Sequence, residues 1–434
     1  MKRKIIAGLL AVTMMASCFA GCGQKQNTGS QKDADVTVIN YPTFQIGVNT
    51  SAPFVAKLVE GFNKEYAGKY KINIEEVPGD ANYTDKMKAL LSANQLPDVV
   101  YGAGYSLLDL ILAKNAAVDL TPYMEKDPEW KGLFSKETLD FNSRNGKIYA
   151  VPNESSVIGY FYNKELFAKA GIKEPAKTWD EFFAQCDTLL AKGITPLAMD
   201  TADSAWVTQL WLGMLYGTSS KDAAAFMNKM HPDNYNMPAF EAAVGKVQTM
   251  LQKYTTADAN GGKYENAANN FMSGKAAMIA NGPWMSGDFS DTTKADKGFD
   301  KKVGVAVYPG NAVYQSPMEG MIVTAKDPKH IEAAVAMVKY FTSKSAQNTG
   351  LDLVGLVPAM DKVELTDSVK QKYPLLADLL NQSKSVDTKF NYLQSTMYPN
   401  LNDLMSQNLP MLITGKMNAK QFCTEMTNGA LKNK

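Results

Sequence analysis

The sequence predicts an α/β fold divided into two domains, and three observations carry that expectation. Strand-like and helix-like patterns alternate from Val36 onward. About 400 residues follow the N-terminal segments, too many for a single core. The apolar fraction of 45% and charged fraction of 21% are those of a soluble globular chain. In order, residues 36–39 (VTVI) read as a strand, and Phe54, Val55, Leu58, Val59 and Phe62 fall on one helical face. Ser51 and Pro53 supply the helix start. Ile72 and Ile74 alternate with polar residues as a second strand, Met87, Leu90 and Leu91 mark a second helix, and Val99, Val100 and Tyr101 form a third strand after Pro97 and Asp98. This βαβαβ order implies a parallel sheet covered by helices, with ligands expected at loops beyond the carboxyl ends of strands.

The N-terminus reads as an export address. Lys2, Arg3 and Lys4 form a positive start, and residues 5–16 form an apolar stretch too short for a permanent membrane span. Ala20 and Gly21 then precede Cys22, a pattern similar to the bacterial lipobox. That resemblance implies a signal peptide over residues 1–21, a diacylglyceryl thioether on Cys22 and acylation of the new amino terminus. Two or more acyl chains make a stable anchor. Cys18 is a second candidate acceptor, and cleavage near Ala20 as an ordinary secretory signal is the plainer alternative. Residues 23–35 (GQKQNTGSQKDAD) carry too little apolar surface to offset their ordering entropy. Residues 22–35 are therefore expected to be a lipidated flexible tether, reaching on the order of 20 Å.

Composition narrows the function. The net charge of +1 gives no electrostatic footprint for nucleic acid. After the signal and Cys22, Cys186 and Cys423 remain, and whether they pair is left open. His231 and His330 are far apart and lack ligand spacing, so neither a metal site nor a cofactor is expected. Only Arg3 and Arg144 are arginine. Proteins that capture carboxylates or phosphates favour its bidentate fork, so this scarcity tilts toward an uncharged ligand, although a lysine-rich coding bias would produce it too. No HExxH, GxSxG or Walker loop occurs, and catalysis is not expected.

Four later landmarks are specific as an ordered set. They are residues 146–152 (GKIYAVP); residues 161–172 (FYNKELFAKAGI) with Pro175 and the capping box of Thr178 and Glu181; residues 271–278 (FMSGKAAM) leading to 281–284 (NGPW); and a late helix after Asp327 and Pro328, followed by Val357 and Pro358. Together these resemble the extracellular solute-binding proteins of ABC importers, in the carbohydrate-binding, maltose-binding-protein-like class. The resemblance implies two α/β lobes joined by crossing segments, with a cleft between. By position the crossings fall near residues 147–153, 303–309 and 343–358. One lobe then holds 36–150 and 308–343, the other 153–303 and 358–434.

A neutral sugar calls for carboxylates and amides against its hydroxyls and flat aromatics against its C–H faces. In the class, the NGPW tryptophan stacks on sugar, which makes Trp284 the first candidate; a buried core role is the alternative. Trp206, at a helix start, is open between stacking and packing, while Trp211, Trp179 and Trp130 read as packing residues. Tyr101, Tyr105 and Asn49 fall in first-lobe loops, and Asp98 is either a ligand contact or a structural cap. Glu154, Ser155 and Ser156 occupy the position of a polar hinge contact. The carboxylate of the class aligns with Ser156, which counts against a maltose-like ligand. Glu319 lies in a loop facing the cleft by the same resemblance. For all but Trp284, a structural role weighs at least as much. The chain is thus expected to be a monomeric, lipid-anchored binding protein on the outer face of a bacterial cell membrane, delivering a carbohydrate to a permease. A surface glycoside hydrolase, a non-transporting sugar sensor and the same fold with a non-sugar solute are the rivals.

Overall fold

The computed structural model describes residues 36–102 and 107–433. Cys22, the leader, the tether and Tyr105 lie outside the described residues. Among those described, no helix is long and apolar enough to cross a membrane.

Two separate hydrophobic cores form. In the first, the strands Thr37–Thr43 and Tyr70–Glu76 pair in parallel, as the βαβ pattern predicts, and helix Ala52–Glu65 covers them with Phe54, Val55, Leu58 and Phe62. The strand Met321–Val323 runs antiparallel between Val99–Tyr101 and Ala150–Val151 in a separate three-stranded sheet, so Val99–Tyr101 does not extend the parallel pair as the βαβαβ order predicts; its partner comes from a distant segment that local pattern does not encode. Helix Pro328–Phe341 buries Ala334, Val338 and Phe341 in the same core.

The second core is built around the nine-residue strand Ser155–Asn163. One edge pairs antiparallel with Ala276–Asn281, which in turn pairs parallel with Thr195–Leu197. Val303–Ala306 pairs with its second half and Ala312–Pro317 with its first half, both antiparallel to it. These two segments act as one strand interrupted by an excursion that closes through Tyr308 and Ala312. Helix Trp206–Gly217 is buried along most of its length, and the capping box of Thr178 and Glu181 opens helix Trp179–Ala191.

The crossings differ from the sequence expectation in one respect. Residues 308–317, expected with the first lobe, bury Tyr308, Val313 and Tyr314 in the second core. The second crossing is therefore Met318 to Gly320, between Pro317 of one sheet and Met321 of the other. Apolar strand pattern cannot separate these alternatives, because either sheet accepts the same alternation. The crossings touch one another. Ser155 N donates to Val357 O at 2.8 Å and Ser155 Oγ to Pro358 O at 3.0 Å. A Cβ on Gly320 would lie 2.1 Å from the Val151 carbonyl carbon, so only glycine allows the first and second crossings to pass this closely.

Cys186 and Cys423 are free and buried, and burial pushes the Cys423 thiol up to about 12. Trp211, Trp179 and Trp130 are packing residues; the Trp179 and Trp130 indoles donate to Thr218 Oγ1 at 2.8 Å and Thr342 Oγ1 at 2.9 Å.

Candidate functional site

At the boundary of the two cores, the hinge brings acidic and aromatic groups together. Glu154 directly precedes the strand Ser155–Asn163, at the end of the first crossing, and is 9% exposed. Its Oε1 accepts from the Tyr101 hydroxyl at the end of Val99–Tyr101. Burial raises the Glu154 carboxyl above the ordinary range, while hydrogen bonds from Tyr101 and Gln45 oppose that rise. Tyr392 of the second lobe is buried close enough to Glu154 and Glu319 for their charges to resist its ionisation, after burial itself.

Tyr392 continues into an aromatic cluster. Its ring meets Trp206 edge to face at 5.2 Å, and Trp206 meets Trp284 at 6.2 Å with a 46° tilt. Both indoles are half-buried, unlike Trp211. Each residue of the NGPW segment has a local task. Asn281 Nδ2 donates to the Tyr264 hydroxyl at 2.9 Å, and its Oδ1 accepts from Gly282 N at 2.8 Å. A Cβ on Gly282 would lie 2.2 Å from the Trp284 ring, so this glycine is what lets the indole fold back over its own backbone. Pro283 opens the short 3₁₀ turn Pro283–Met285 that presents Trp284.

Trp206 is held by an unusual approach to its helix. Asp203 and Ala205 adopt φ of 53° and 49°, costly for residues with a Cβ. Asp200, fully buried, accepts from Thr208 N at 3.1 Å within the first turn of helix Trp206–Gly217. Burial lifts its carboxyl to about 7 against the opposing N–H groups of Thr208 and Val207.

The remaining expected residues separate into hinge and capping positions. Ser156 is buried opposite Ser316, and its Oγ has no partner; Asn153 Oδ1 is likewise buried and unpaired. Such atoms in a native fold call for an explanation, and a bound ligand hydroxyl is one. Ser155 is committed to Val357 and Pro358 as above. Asn49 Oδ1 accepts from Ser51 N at 2.9 Å, closing a turn before helix Ala52–Glu65. Asp98 stands at the opposite, amino end of Val99–Tyr101, with Oδ2 on Asn40 N at 2.8 Å and Oδ1 2.9 Å from His330 Nδ1. Both its carboxylate oxygens are engaged in these structural contacts. Glu319 lies in the second crossing and accepts from Leu108 N at 3.0 Å. Burial, together with the charge of Asp109, raises its carboxyl to about 8, even though the N–H groups of Leu108 and Leu107 and the charge of Arg144 pull it down.

Tyr392, Gln45 and Asn153 were not singled out from the sequence. Tyr392 and Gln45 reach the site by chain reversals that no local pattern encodes, whereas Asn153 directly precedes Glu154 and was legible by adjacency. A separate cavity of about 650 Å³ lies on the second lobe, lined by Tyr162, Glu174, Lys177, Tyr308 and Asp378 among others, and contains none of the expected residues. No cluster of metal-ligating side chains occurs among the described residues.

Residues 57–377 match the model of the bacterial extracellular solute-binding protein family. The chain belongs to that family. Among its relatives are the arabinooligosaccharide-binding protein of Bacillus subtilis, 24% identical over 86% of this chain and 84% of that protein, and the multiple sugar-binding protein of Streptococcus mutans, 28% identical over 80% and 81%. Among solved structures, a chitin oligosaccharide binding protein superposes with a TM-score of 0.80 at 22% identity, covering 92% of this chain and 99% of that one. A Streptococcus pneumoniae solute-binding protein in complex with the blood group A-trisaccharide gives 0.77 at 21% identity, covering 92% and 100%. The two-lobed α/β fold expected from the sequence is the fold of this family, and these relatives are binding proteins.

Proposed function

We propose that this protein is the capture component of an ABC importer, taking a carbohydrate, specifically an oligosaccharide, between its two lobes and delivering it to a membrane permease. The observation that carries the reading is the pair of half-buried indoles Trp284 and Trp206, backed by buried Tyr392 and set at the hinge where Tyr101 meets Glu154. Flat aromatics suit the C–H faces of sugar rings, and the acidic end with unpaired Ser156 Oγ and Asn153 Oδ1 suits their hydroxyls. Two partly exposed indoles offer more than one stacking face, which favours several linked units.

The relatives' ligands, arabinooligosaccharide and multiple sugars, support the same class. So does the state of Arg144. Its Nε and Nη2 bind Asp109 at 2.7 and 3.0 Å, and Nη1 donates to the Phe141 and Ser143 carbonyls at 3.0 and 2.8 Å. No guanidinium among the described residues is left to clamp an anion.

Lobe closure about the three crossings would let a ligand touching both sides favour the closed form by its differential affinity. The lobe contents follow the two cores, roughly 36–151 with 321–356, and 155–317 with 367–430. Lipid on Cys22 would keep the monomeric trap at the outer face of the membrane, within reach of its permease.

A thermal-shift panel of mono- and oligosaccharides, amino acids, polyamines and peptides tests this. A carbohydrate at a hundred times its dissociation constant adds roughly 2.7 kcal/mol of stability. A shift with peptide and none with any carbohydrate refutes the assignment. Trp284→Ala should weaken sugar binding about tenfold, about 1.4 kcal/mol, by calorimetry.

A further inference from the structure

The one arginine among the described residues, Arg144, and one of the two histidines, His231, meet the same carboxylate, and they do so across the lobe boundary. Asp109 sits on helix Leu107–Leu112, whose Leu107, Leu108 and Ile111 are in the first core. Arg144, at the end of strand Ser143–Arg144 in the same lobe, grips both Asp109 oxygens as described. His231 comes from the second lobe, between Met227 and Tyr235 of that core, and its Nε2 lies 3.0 Å from Asp109 Oδ2, an ion-pair contact off the line of a hydrogen bond. All three side chains are about a fifth exposed: 22% for Arg144, 20% for Asp109 and 21% for His231.

His231 is held for this contact. Its backbone takes φ of 52°, its N–H donates to Thr396 O at 2.7 Å, and its ring stacks on Tyr398 at 4.5 Å and 12°. Asp109 is held equally firmly. Burial alone would raise its carboxyl, yet the contacts with His231 and Arg144 bring it down to about 2. Glu319, in the second crossing, accepts from the first N–H groups of the helix that carries Asp109. The crossing and the interlobe contact are thereby joined through one short helix.

We infer that Asp109, Arg144 and His231 form a latch that exists only when the lobes are together, with Arg144 as the positioning residue that presents Asp109 to His231. Thr396 and Tyr398 fix His231 from within the second lobe, while its ring edge meets a carboxylate of the first, so separating the lobes must break that contact. The latch belongs to the closed state and adds to its population without touching ligand. Apparent affinity scales with the fraction of closed protein, so the latch strengthens every ligand by one common factor. The inference rests on the reading of the molecule as a closing two-lobed trap and not on the ligand being a sugar.

The test needs no ligand. Spin labels on the exposed positions Lys114→Cys in the first lobe and Lys229→Cys in the second, in a chain with Cys18 and Cys22 changed to Ser, report the separation between the lobes; Cys186 and Cys423 are buried. His231→Asn is the informative substitution, since asparagine tolerates a left-handed backbone and removes the imidazole without adding strain. Asp109→Asn is a second route to the same loss. Each should shift at least threefold more of the distance distribution to the longer separation, with the far-ultraviolet dichroism of the parent. The double variant should add nothing beyond either single change. Lys147→Gln, which breaks a 3.3 Å pair with Asp119 inside the first lobe, should leave the distribution unchanged. An unaltered distribution in His231→Asn, or independent addition in the double variant, overturns the latch. A protein that takes no sugar but shows these shifts would refute only the carbohydrate reading.

Discussion

Glu319→Gln should remove a loss of stability that the native protein suffers as pH rises. The Glu319 carboxyl is buried in the second crossing and titrates at about 8, against an ordinary glutamate value of 4.5. Between those values the folded chain keeps a proton that the unfolded chain has released. Stability contributed by the protonated form is therefore fully present below about pH 4.5 and falls until the pH passes about 8. At roughly 1.4 kcal/mol per pH unit, the loss is about 3 kcal/mol at pH 6.5 and on the order of 4 to 5 kcal/mol by pH 8 to 9. Glutamine has the same shape, stays neutral, and retains an oxygen to accept from Leu108 N. Urea unfolding at pH 5, 6.5 and 8, followed by circular dichroism, measures the difference between variant and parent. The variant should gain on the parent steadily as pH rises. Parallel pH profiles for the two proteins would refute the assignment of a protonated Glu319 in the hinge.

Other consequences can be checked separately. Gly282→Ala should reduce sugar affinity as far as Trp284→Ala does, because the new methyl occupies the indole's position, and it should cost about 1 to 3 kcal/mol of stability; calorimetry and urea unfolding read the two effects. Cys186 and Cys423 should resist an aromatic disulfide reagent in the folded protein and react in urea, and prompt reaction of either in native buffer would contradict their burial. Cys22→Ser should release the protein from the membrane fraction into the medium, whereas retention would point to another anchor.

Much of the fold was legible because it rests on local periodicity. The helical face of Phe54 to Phe62, the capping box of Thr178 and Glu181, and the parallel pairing of Thr37–Thr43 with Tyr70–Glu76 all follow from neighbours in the chain. The stacking candidates were legible for a related reason: Asn281, Gly282 and Pro283 shape the turn that presents Trp284 from within one short segment. Asp98 was ambiguous because its partners, Asn40 and His330, lie 58 and 232 residues away.

By itself, the sequence determined the two-lobed α/β class and raised the expectations of lipid on Cys22 and of sugar stacking at Trp284, since each is written in composition, short spacing or an ordered set of motifs. Only the tertiary structure decided that residues 308–317 join the second lobe, that Tyr392 links Trp206 to Glu154, and that Arg144 is committed to Asp109 beside His231. Those outcomes depend on contacts between distant segments, whose geometry is set by packing two cores around shared crossings. A linear pattern carries the tendency of each segment but not which partner it will meet.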